Sequence, residues 1–128
     1  MRGYVALTPK ELQDFINSGT FDTPSAFVAS IDLEENLDVD QEELEFEMSW
    51  LAAQESRGKQ DLPEARGFVL AVDLVNDQVG EKKENQVSLL SPISWSQVES
   101  LLLSESDEPE LSWFAAQEIP TYLPQWLA

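Results

Sequence analysis

The chain has 128 residues and a mass of 14.4 kDa, which is the length of a single domain. Its 25 Asp and Glu residues against 7 Lys and Arg residues give a formal net charge of -18, so direct binding to nucleic acid or to an anionic membrane face is not expected. The absence of Cys and His from the sequence excludes disulfides, thiol catalysis and imidazole chemistry. Hydrophobic residues make up 42% of the chain, too many for an acidic disordered protein.

The sequence lacks the patterns of membrane insertion and of phosphate binding. No apolar run reaches the ~20 residues that a membrane-spanning helix needs, and the first residues do not have the pattern of a signal peptide, so we expect a cytoplasmic protein. The five glycines are scattered, with no glycine-rich loop before a helix. We therefore expect no cofactor, and the sequence favours a non-enzymatic protein while leaving enzymatic activity open.

The first thirty residues predict a strand, a helix and a second strand. Tyr4–Leu7 is apolar and short, as in a strand. Thr8 and Glu11 have the spacing of a capping box and predict the start of a helix, which Gly19 ends. The next apolar run, 26–29, predicts the second strand. This order indicates an opening that resembles a β-α-β unit.

An acidic block follows at 32–47, and its second half predicts a helix over 41–55 that is apolar on two sides. The residues of the first side are Leu44, Met48 and Leu51, and those of the opposite side are Phe46, Trp50 and Ala53. Two coverings remain open for the opposite side: another element of the same chain, or a second protomer or a different protein. In the latter case the partner-binding residues are Phe46, Trp50, Glu42, Glu43 and Glu47.

The acidic block also resembles a calcium loop in its spacing. The oxygen-bearing residues at positions 1, 3, 5, 7, 9 and 12 of such a loop are Asp32, Glu34, Asn36, Asp38, Asp40 and Glu43. Position six is Leu37, where the sharp turn of an EF-hand needs glycine. We interpret the block as a solvated acidic segment and predict no metal site, although the sequence leaves binding of divalent cations open.

The middle of the chain predicts a polar loop at 57–66 and then the clearest strand, 67–74, whose continuous apolar run is typical of a central position. Residues 75–85 predict a loop or a wide hairpin connection, and 86–90 predict another strand. The periodicity of 98–103 fits a strand or a helix equally well.

The last thirty residues predict a capped helix and an apolar tail. Asp107 as N-cap and Glu110 three residues later predict a helix over Leu111–Ile119 that stops at Pro120. The tail, 121–127, is expected to dock on the body because a free tail of this composition would be an exposed apolar patch.

Glu118 falls on the core-facing stripe of this predicted helix, where an ionised carboxylate is costly unless it is paired. It is either a rim carboxylate bonded to a backbone amide or to an arginine such as Arg2 or Arg66, or an acid in a functional pocket. Together these elements predict one α+β domain over residues 1–128, with a mixed β-sheet of four to five strands and about three helices.

Three segments resemble a family of small acidic actinobacterial proteins, a domain of unknown function. They are the opening Met1–Thr8, the Glu-Glu-Leu-Glu-Phe stretch of 42–46 and the closing Glu-Leu-Ser-Trp-Phe-Ala-Ala-Gln-Glu-Ile of 110–119. Gly3 departs from the family pattern, in which the third residue is apolar. The resemblance implies a cytoplasmic setting and a strand at 98–103 but no activity. It also marks Trp113, Gln117 and Glu118 as a candidate functional segment.

Three functional hypotheses remain. The first is a non-enzymatic protein-interaction or regulatory module whose partner is a protein, either a basic one or a second copy in a homodimer. The second is an acidic mimic of nucleic acid that blocks a DNA- or RNA-binding protein. The third is a pocket for a small ligand or for catalysis around Glu118.

Overall fold

A computed structural model of the protein describes residues 1–28, 41–60, 65–83, 85–105 and 110–127. Three α-helices are present in these ranges: α1 (Pro9–Ser18), α2 (Gln41–Gln60) and α3 (Ile119–Leu127). The strands are β1 (Arg2–Leu7), β2 (Thr20–Phe21), β3 (Ser25–Val28), β4 (Gly67–Asp73), β5 (Val79–Lys83), β6 (Gln86–Leu89), β7 (Ile93–Ser94), β8 (Val98–Ser104) and β9 (Ser112–Ala115).

Seven strands form the main sheet, in the order β5-β6-β3-β1-β4-β8-β9, and β2 pairs with β7 in a separate two-stranded sheet. Every pairing in the described ranges is antiparallel. The α+β class and the three helices are confirmed. The sheet is larger than the predicted four to five strands, and it is antiparallel where a mixed sheet was expected.

The opening of the chain is not a β-α-β unit. The predicted strands and helix are present, and α1 has the expected capping box at Thr8 and Glu11 and ends at Gly19 in the left-handed conformation. However, β3 pairs with β1 in the antiparallel direction, with Tyr4 opposite Phe27. The short β2 follows α1 and pairs with β7 outside the main sheet, so the chain changes direction before β3 enters the sheet.

Two strands of the main sheet lie where the sequence predicted other structure or left the choice open. The segment 75–85, predicted as a connection, contains β5, whose register with β6 shifts between Val79 and Lys82. Such an irregular edge strand carries only a weak alternation signal. The segment 98–103 is a strand, β8, which pairs with the central β4 along its length. The predicted central strand at 67–74 is confirmed as β4, which lies between β1 and β8.

The sheet separates two hydrophobic layers. Side chains of one face pack with α1 and α3, and the largest fully buried members of that layer include Leu7, Phe15, Phe68, Leu101 and Ile119. The other face packs against α2 and holds a smaller layer, namely Tyr4, Ala6, Met48, Ala52, Ala53, Val69 and Ala71. The sheet is therefore covered on both faces along its centre, in agreement with the apolar run of β4.

The buried side of α2 does not follow the two groups of apolar residues identified in the sequence. Its buried residues are Met48, Ser49, Ala52, Ala53 and Ser56. Ala53, grouped with Phe46 and Trp50, is completely buried, whereas Leu44 and Leu51, grouped with Met48, are only partly covered. Apart from Met48, the buried residues are small, and they let the helix backbone approach the strands closely.

Helix α2 continues past Arg57 and ends at Gln60, so the predicted polar loop is wrong over 57–60; residues 61–64 lie outside the described ranges. The buried Ser56 hydroxyl donates to the carbonyl of Leu7 at 2.7 Å and accepts from the amide of Phe68 at 2.9 Å. It therefore joins the last turns of α2 to the paired ends of β1 and β4.

The predicted helix over Leu111–Ile119 is wrong. Residues 112–115 form β9, which pairs with β8, and a single 3-10 turn leads into α3 at Ile119. Pro120 was taken as a stop, yet it lies in the first turn of α3, where a helix has no need of its amide hydrogen. The predicted N-cap, Asp107, lies outside the described residues. The docking of the apolar tail is observed: Leu123 and Trp126 of α3 are buried in the core.

None of the helices in the described ranges is both long enough and apolar enough to cross a membrane.

Candidate functional site

Helix α2 places two aromatic side chains on the flank that faces β8. Arg57 donates to the carbonyl and hydroxyl of Ser104 at the end of β8, and its guanidinium lies 5.9 Å from the centroid of the Trp50 ring. The sequence spacing places Phe46, Trp50 and Arg57 on the same side of α2. Phe46, near the start of α2, is 41% exposed, while Trp50 is half-buried. This flank therefore presents an apolar stripe beside the sheet.

Strand β9 adds a third aromatic side chain on the same face of the sheet. Trp113 pairs with Leu102 of β8, which belongs to the layer beneath α2, so the two side chains share a face. Phe114, the next residue, points to the other face and packs against Tyr122 and Trp126. Trp113 is 62% exposed. We call the surface formed by Phe46, Trp50, Leu102 and Trp113 the α2–β9 surface.

A small depression lies at one end of this surface. It has a volume of about 260 Å³, and its lining includes Arg2, Tyr4, Glu99 and Trp113. The Arg2 guanidinium donates to one carboxylate oxygen of Glu99 twice, from Nη2 at 2.8 Å and from Nε at 3.1 Å. Its Nη1 lies 3.8 Å from a carboxylate oxygen of Glu45 on α2. Arg2 thus links the sheet face to α2 at the rim of the depression.

A bulge in β8 positions Glu99. Ala71 pairs with Ser100 and Val72 pairs with Val98, which leaves Glu99 as an extra residue in the strand. A bulge re-aims the side chain of the inserted residue. The carboxylate of Glu99 consequently reaches Arg2, two strands away across β4.

The phenol of Tyr4 is buried beneath these charges. Burial, together with the negative charge of Glu45, raises the pKa of Tyr4 above its usual value, while the hydrogen bond and positive charge of Arg2 oppose the rise. The phenol therefore stays protonated at neutral pH and serves as an uncharged floor for the depression.

Exposed carboxylates lie on the same part of α2 as Phe46. They belong to Glu42, Glu43 and Glu47. Together with the net charge of -18, they make the potential of this surface negative. The structure thus brings all five sequence-predicted partner-binding residues to one end of α2 and places Trp113 on the adjoining sheet face.

The other two residues of the candidate segment have different surroundings. Glu118 lies in the 3-10 turn before α3, and its Oε1 accepts a hydrogen bond from the amide of Ala115 at 3.0 Å. That contact matches the rim interpretation, in which a backbone amide holds the carboxylate. Gln117 is exposed in the same turn. A functional pocket around Glu118 stays a prediction.

Two sequence hypotheses, the calcium-like spacing and the nucleic-acid mimic, are not tested by the structure. The calcium-like spacing runs from Asp32 to Glu43, and residues 32–40 of it lie outside the described ranges. The mimic hypothesis depends on the acidity of the chain, and no particular spacing of carboxylates was identified for it. Within the described part of the chain, no group of three or more acidic side chains is arranged to hold a metal ion. Both hypotheses stay predictions.

Ser56 and Lys59 have the Ser-x-x-Lys spacing of some nucleophilic hydrolases. The structure gives both a structural role. The Ser56 hydroxyl is completely buried and bonded to Leu7 and Phe68, and the Lys59 ammonium donates to the carbonyl of Ala6 at 3.0 Å. Neither atom is arranged to activate the other in the way a nucleophile and its base require.

Sequence reasoning did not identify the roles of three residues of the depression: Arg2, Tyr4 and Glu99. Arg2 was named only as a possible partner of Glu118, whereas the structure pairs it with Glu99 and Glu45. Tyr4 was assigned to a strand, but the charges above it come from α2 and β8, which are distant in sequence. The bulge that aims Glu99 follows from the pairing of β4 and β8, and the local sequence carries no signal for it.

Residues 1–109 match the model of a family of unknown function, DUF6912. The chain belongs to DUF6912. The match covers the opening segment and the 42–46 stretch on which the resemblance was based, and it stops before the closing 110–119 segment. No curated protein and no solved structure matches this DUF6912 chain. No activity has been assigned to the family, so the proposed function is inferred from the geometry of the chain.

Proposed function

We propose that this DUF6912 protein is a non-enzymatic module that binds another protein through the α2–β9 surface, and that its partner presents a basic segment. The observation that carries the proposal is the exposure of two large aromatic side chains, Phe46 on α2 and Trp113 on the sheet face that α2 covers. Both lie on regular secondary structure, so their positions are set before a partner arrives.

Burial of these rings would supply the binding free energy. Trp is among the residues most often found to dominate protein interfaces, because its ring removes a large apolar area from water. Phe46 and Trp113 are the exposed ends of the α2–β9 surface, while Trp50 and Leu102 are already partly covered by the chain. A segment that lies along this surface would therefore cover both exposed rings at once.

The carboxylates would select the partner by charge. Glu42, Glu43 and Glu47 repel acidic chains and attract Lys and Arg, which raises the rate of encounter with a basic segment. The carboxylate of Glu99 in the depression beside Trp113 is paired with Arg2, so the glutamates of α2 supply the charge of this surface. Binding is expected to weaken as salt rises, because exposed charges are screened within about 10 Å at 0.1 M salt.

Site-specific photo-crosslinking in the native cell tests this assignment. A photoreactive amino acid replaces Trp113 or Phe46 in the full chain, and the matched control replaces Leu90, which is 68% exposed and lies outside the α2–β9 surface. We expect positions 113 and 46 to crosslink to the same protein, and position 90 not to. Equal crosslinking from all three positions, or none from 113 and 46, would overturn the proposal.

The identity of the crosslinked protein distinguishes a basic partner from self-association. Sedimentation velocity on the purified chain, at low and at high salt, supplies the independent measurement. A monomer at both salt concentrations, with a basic protein crosslinked at 113, supports the proposal. A dimer that persists in high salt and is lost in Trp113→Ala would show instead that the surface binds a second copy through apolar contacts.

A further inference from the structure

An open groove of about 480 Å³ lies where the start of α1 meets the ends of α2 and α3. Three cationic side chains line it: Lys10 of α1, Lys59 of the last turn of α2, and Arg66 just before β4. Its apolar walls include Pro9 and Leu127, the latter 39% exposed. The residues that line this groove differ completely from those of the α2–β9 surface.

Basic side chains are concentrated along this groove. The sequence has 7 basic and 25 acidic residues, yet three bases and no acid line the groove among the described residues. Asp14 and Glu11 lie just outside this lining and offset part of the charge of Lys10 and Lys59. The described contacts of Arg66 include no carboxylate, so its guanidinium is the group that attracts an anion most strongly.

The three cations have hydrogen-bonding capacity left. In the described contacts Arg66 uses one N–H, which donates to the carbonyl of Trp126 at 3.4 Å, and its guanidinium lies 5.6 Å from the centroid of the Phe68 ring. A guanidinium has five N–H donors and a lysine ammonium has three.

The ion pairs formed by the two lysines are long. Lys10 lies 3.4 Å from Asp14, and Lys59 lies 3.5 Å from Glu11. Partly or fully exposed pairs of this kind contribute little, so they would not prevent a ligand from binding. Lys59 also donates to the carbonyl of Ala6 at 3.0 Å, which leaves its third N–H for a ligand.

We propose that this groove binds a small organic anion, a carboxylate or a phosphate ester that carries a compact apolar group. The anionic group would accept hydrogen bonds from the ammonium groups of Lys10 and Lys59 and from the guanidinium of Arg66. The apolar group would lie against Pro9 and Leu127. The volume is within the range of small-molecule sites, about 300–1,000 Å³, and admits a ligand of this size.

Titration with three probes tests both halves of the proposed ligand. The probes are phenyl phosphate, inorganic phosphate and phenol, and binding is followed by amide chemical shifts of the full chain. We expect saturable binding of phenyl phosphate that shifts the amides of Lys10, Lys59, Arg66 and Leu127, with weaker binding of inorganic phosphate and of phenol. The proposal would be overturned if phenyl phosphate does not saturate the shifts at concentrations up to about 10 mM. A dissociation constant above that concentration is too weak to define a specific site.

A matched pair of charge variants separates the groove from general attraction to the protein. Lys10→Gln with Lys59→Gln removes two charges of the groove, and Lys82→Gln with Lys83→Gln removes two charges from β5, outside the groove. We expect the first variant to weaken phenyl phosphate about tenfold, the loss of two charge-assisted hydrogen bonds, and the second to change it less than about twofold. Equal weakening in both variants would show nonspecific binding and overturn the site.

A single substitution keeps the test valid if the double variant folds poorly. The side chain of Lys10 is 74% exposed, so Lys10→Gln is expected to leave the melting temperature unchanged. It should still weaken phenyl phosphate about threefold, because one charge-assisted contact is lost. If this variant binds phenyl phosphate with wild-type affinity and the amide shifts of Arg66 and Leu127 on binding are the same as in wild type, the groove is not the binding site.

Discussion

Gly67 and Ala53 set the distance between α2 and the sheet. A Cβ atom built on Gly67 would lie 2.7 Å from the carbonyl oxygen of Ala53 and 2.9 Å from its Cβ. Both are shorter than any ordinary contact, so the helix backbone occupies the space that a side chain at 67 would need. This contact fixes where α2, and with it Phe46 and Trp50, lies above the sheet.

Gly67→Ala is expected to destabilise the protein by about 1–3 kcal/mol, because α2 must move away from β4 to admit the methyl group. Gly58→Ala is the matched control. A methyl group added at Gly58 of α2 would meet no atom within 4 Å, and alanine favours a helix over glycine by about 0.5–1 kcal/mol. Urea denaturation of both variants measures the difference; a Gly67→Ala protein as stable as wild type would show that the close contact is wrong.

Ser56→Ala is expected to cost about 1–3 kcal/mol, because it leaves the buried carbonyl of Leu7 and the amide of Phe68 without the hydroxyl that joins them to α2. Ser49→Ala is a control of the same chemistry. Ser49 is also buried, but its hydroxyl donates only within α2, to the carbonyl of Phe46 at 2.7 Å. Its loss should change stability by less than about 0.5 kcal/mol. Equal losses in thermal or urea unfolding would refute the tie between α2 and the strand ends.

The raised pKa of Tyr4 predicts a pH dependence of stability. Because the folded protein holds the phenolic proton more tightly than the unfolded chain, this contribution is complete below the unfolded pKa of about 10 and is lost as the pH rises through the folded pKa. The free energy of unfolding of wild type should therefore fall more steeply between about pH 9 and pH 11 than that of Tyr4→Phe. Denaturant titrations at the two pH values make the comparison, and parallel losses would contradict it.

The sequence predicted individual helices and strands correctly where interactions between residues close in sequence determine them. The capping box at Thr8 and the left-handed end at Gly19 are examples, since each depends on residues within one turn. The apolar run of β4 likewise predicted a strand covered on both faces.

The errors have longer-range causes. The segment at β9 has helical spacing, but pairing with β8 makes it a strand, and Pro120 begins a helix instead of ending one. The side of α2 that faces the sheet depends on the contact between Gly67 and Ala53, which lie on different elements.

The candidate site was predictable in part for the same reason. Phe46, Trp50 and the nearby glutamates follow from the pattern of one helix. The pairing of Trp113 with Leu102 on the face that α2 covers follows only from the register of β8 and β9. Arg2 and Glu99 form their ion pair across β4 because of the bulge in β8. No local sequence pattern predicts that contact.

Affinity for the protein that crosslinks at position 113 is the most direct test of the α2–β9 surface. The measurement compares wild type with Phe46→Ala plus Trp113→Ala, and with Val75→Ala plus Leu90→Ala, which remove two exposed apolar side chains elsewhere. We expect the first pair to weaken binding about tenfold or more at unchanged folding stability, and the second pair to have less than about a twofold effect. Wild-type affinity in the first pair, or equal losses in both, would contradict this expectation.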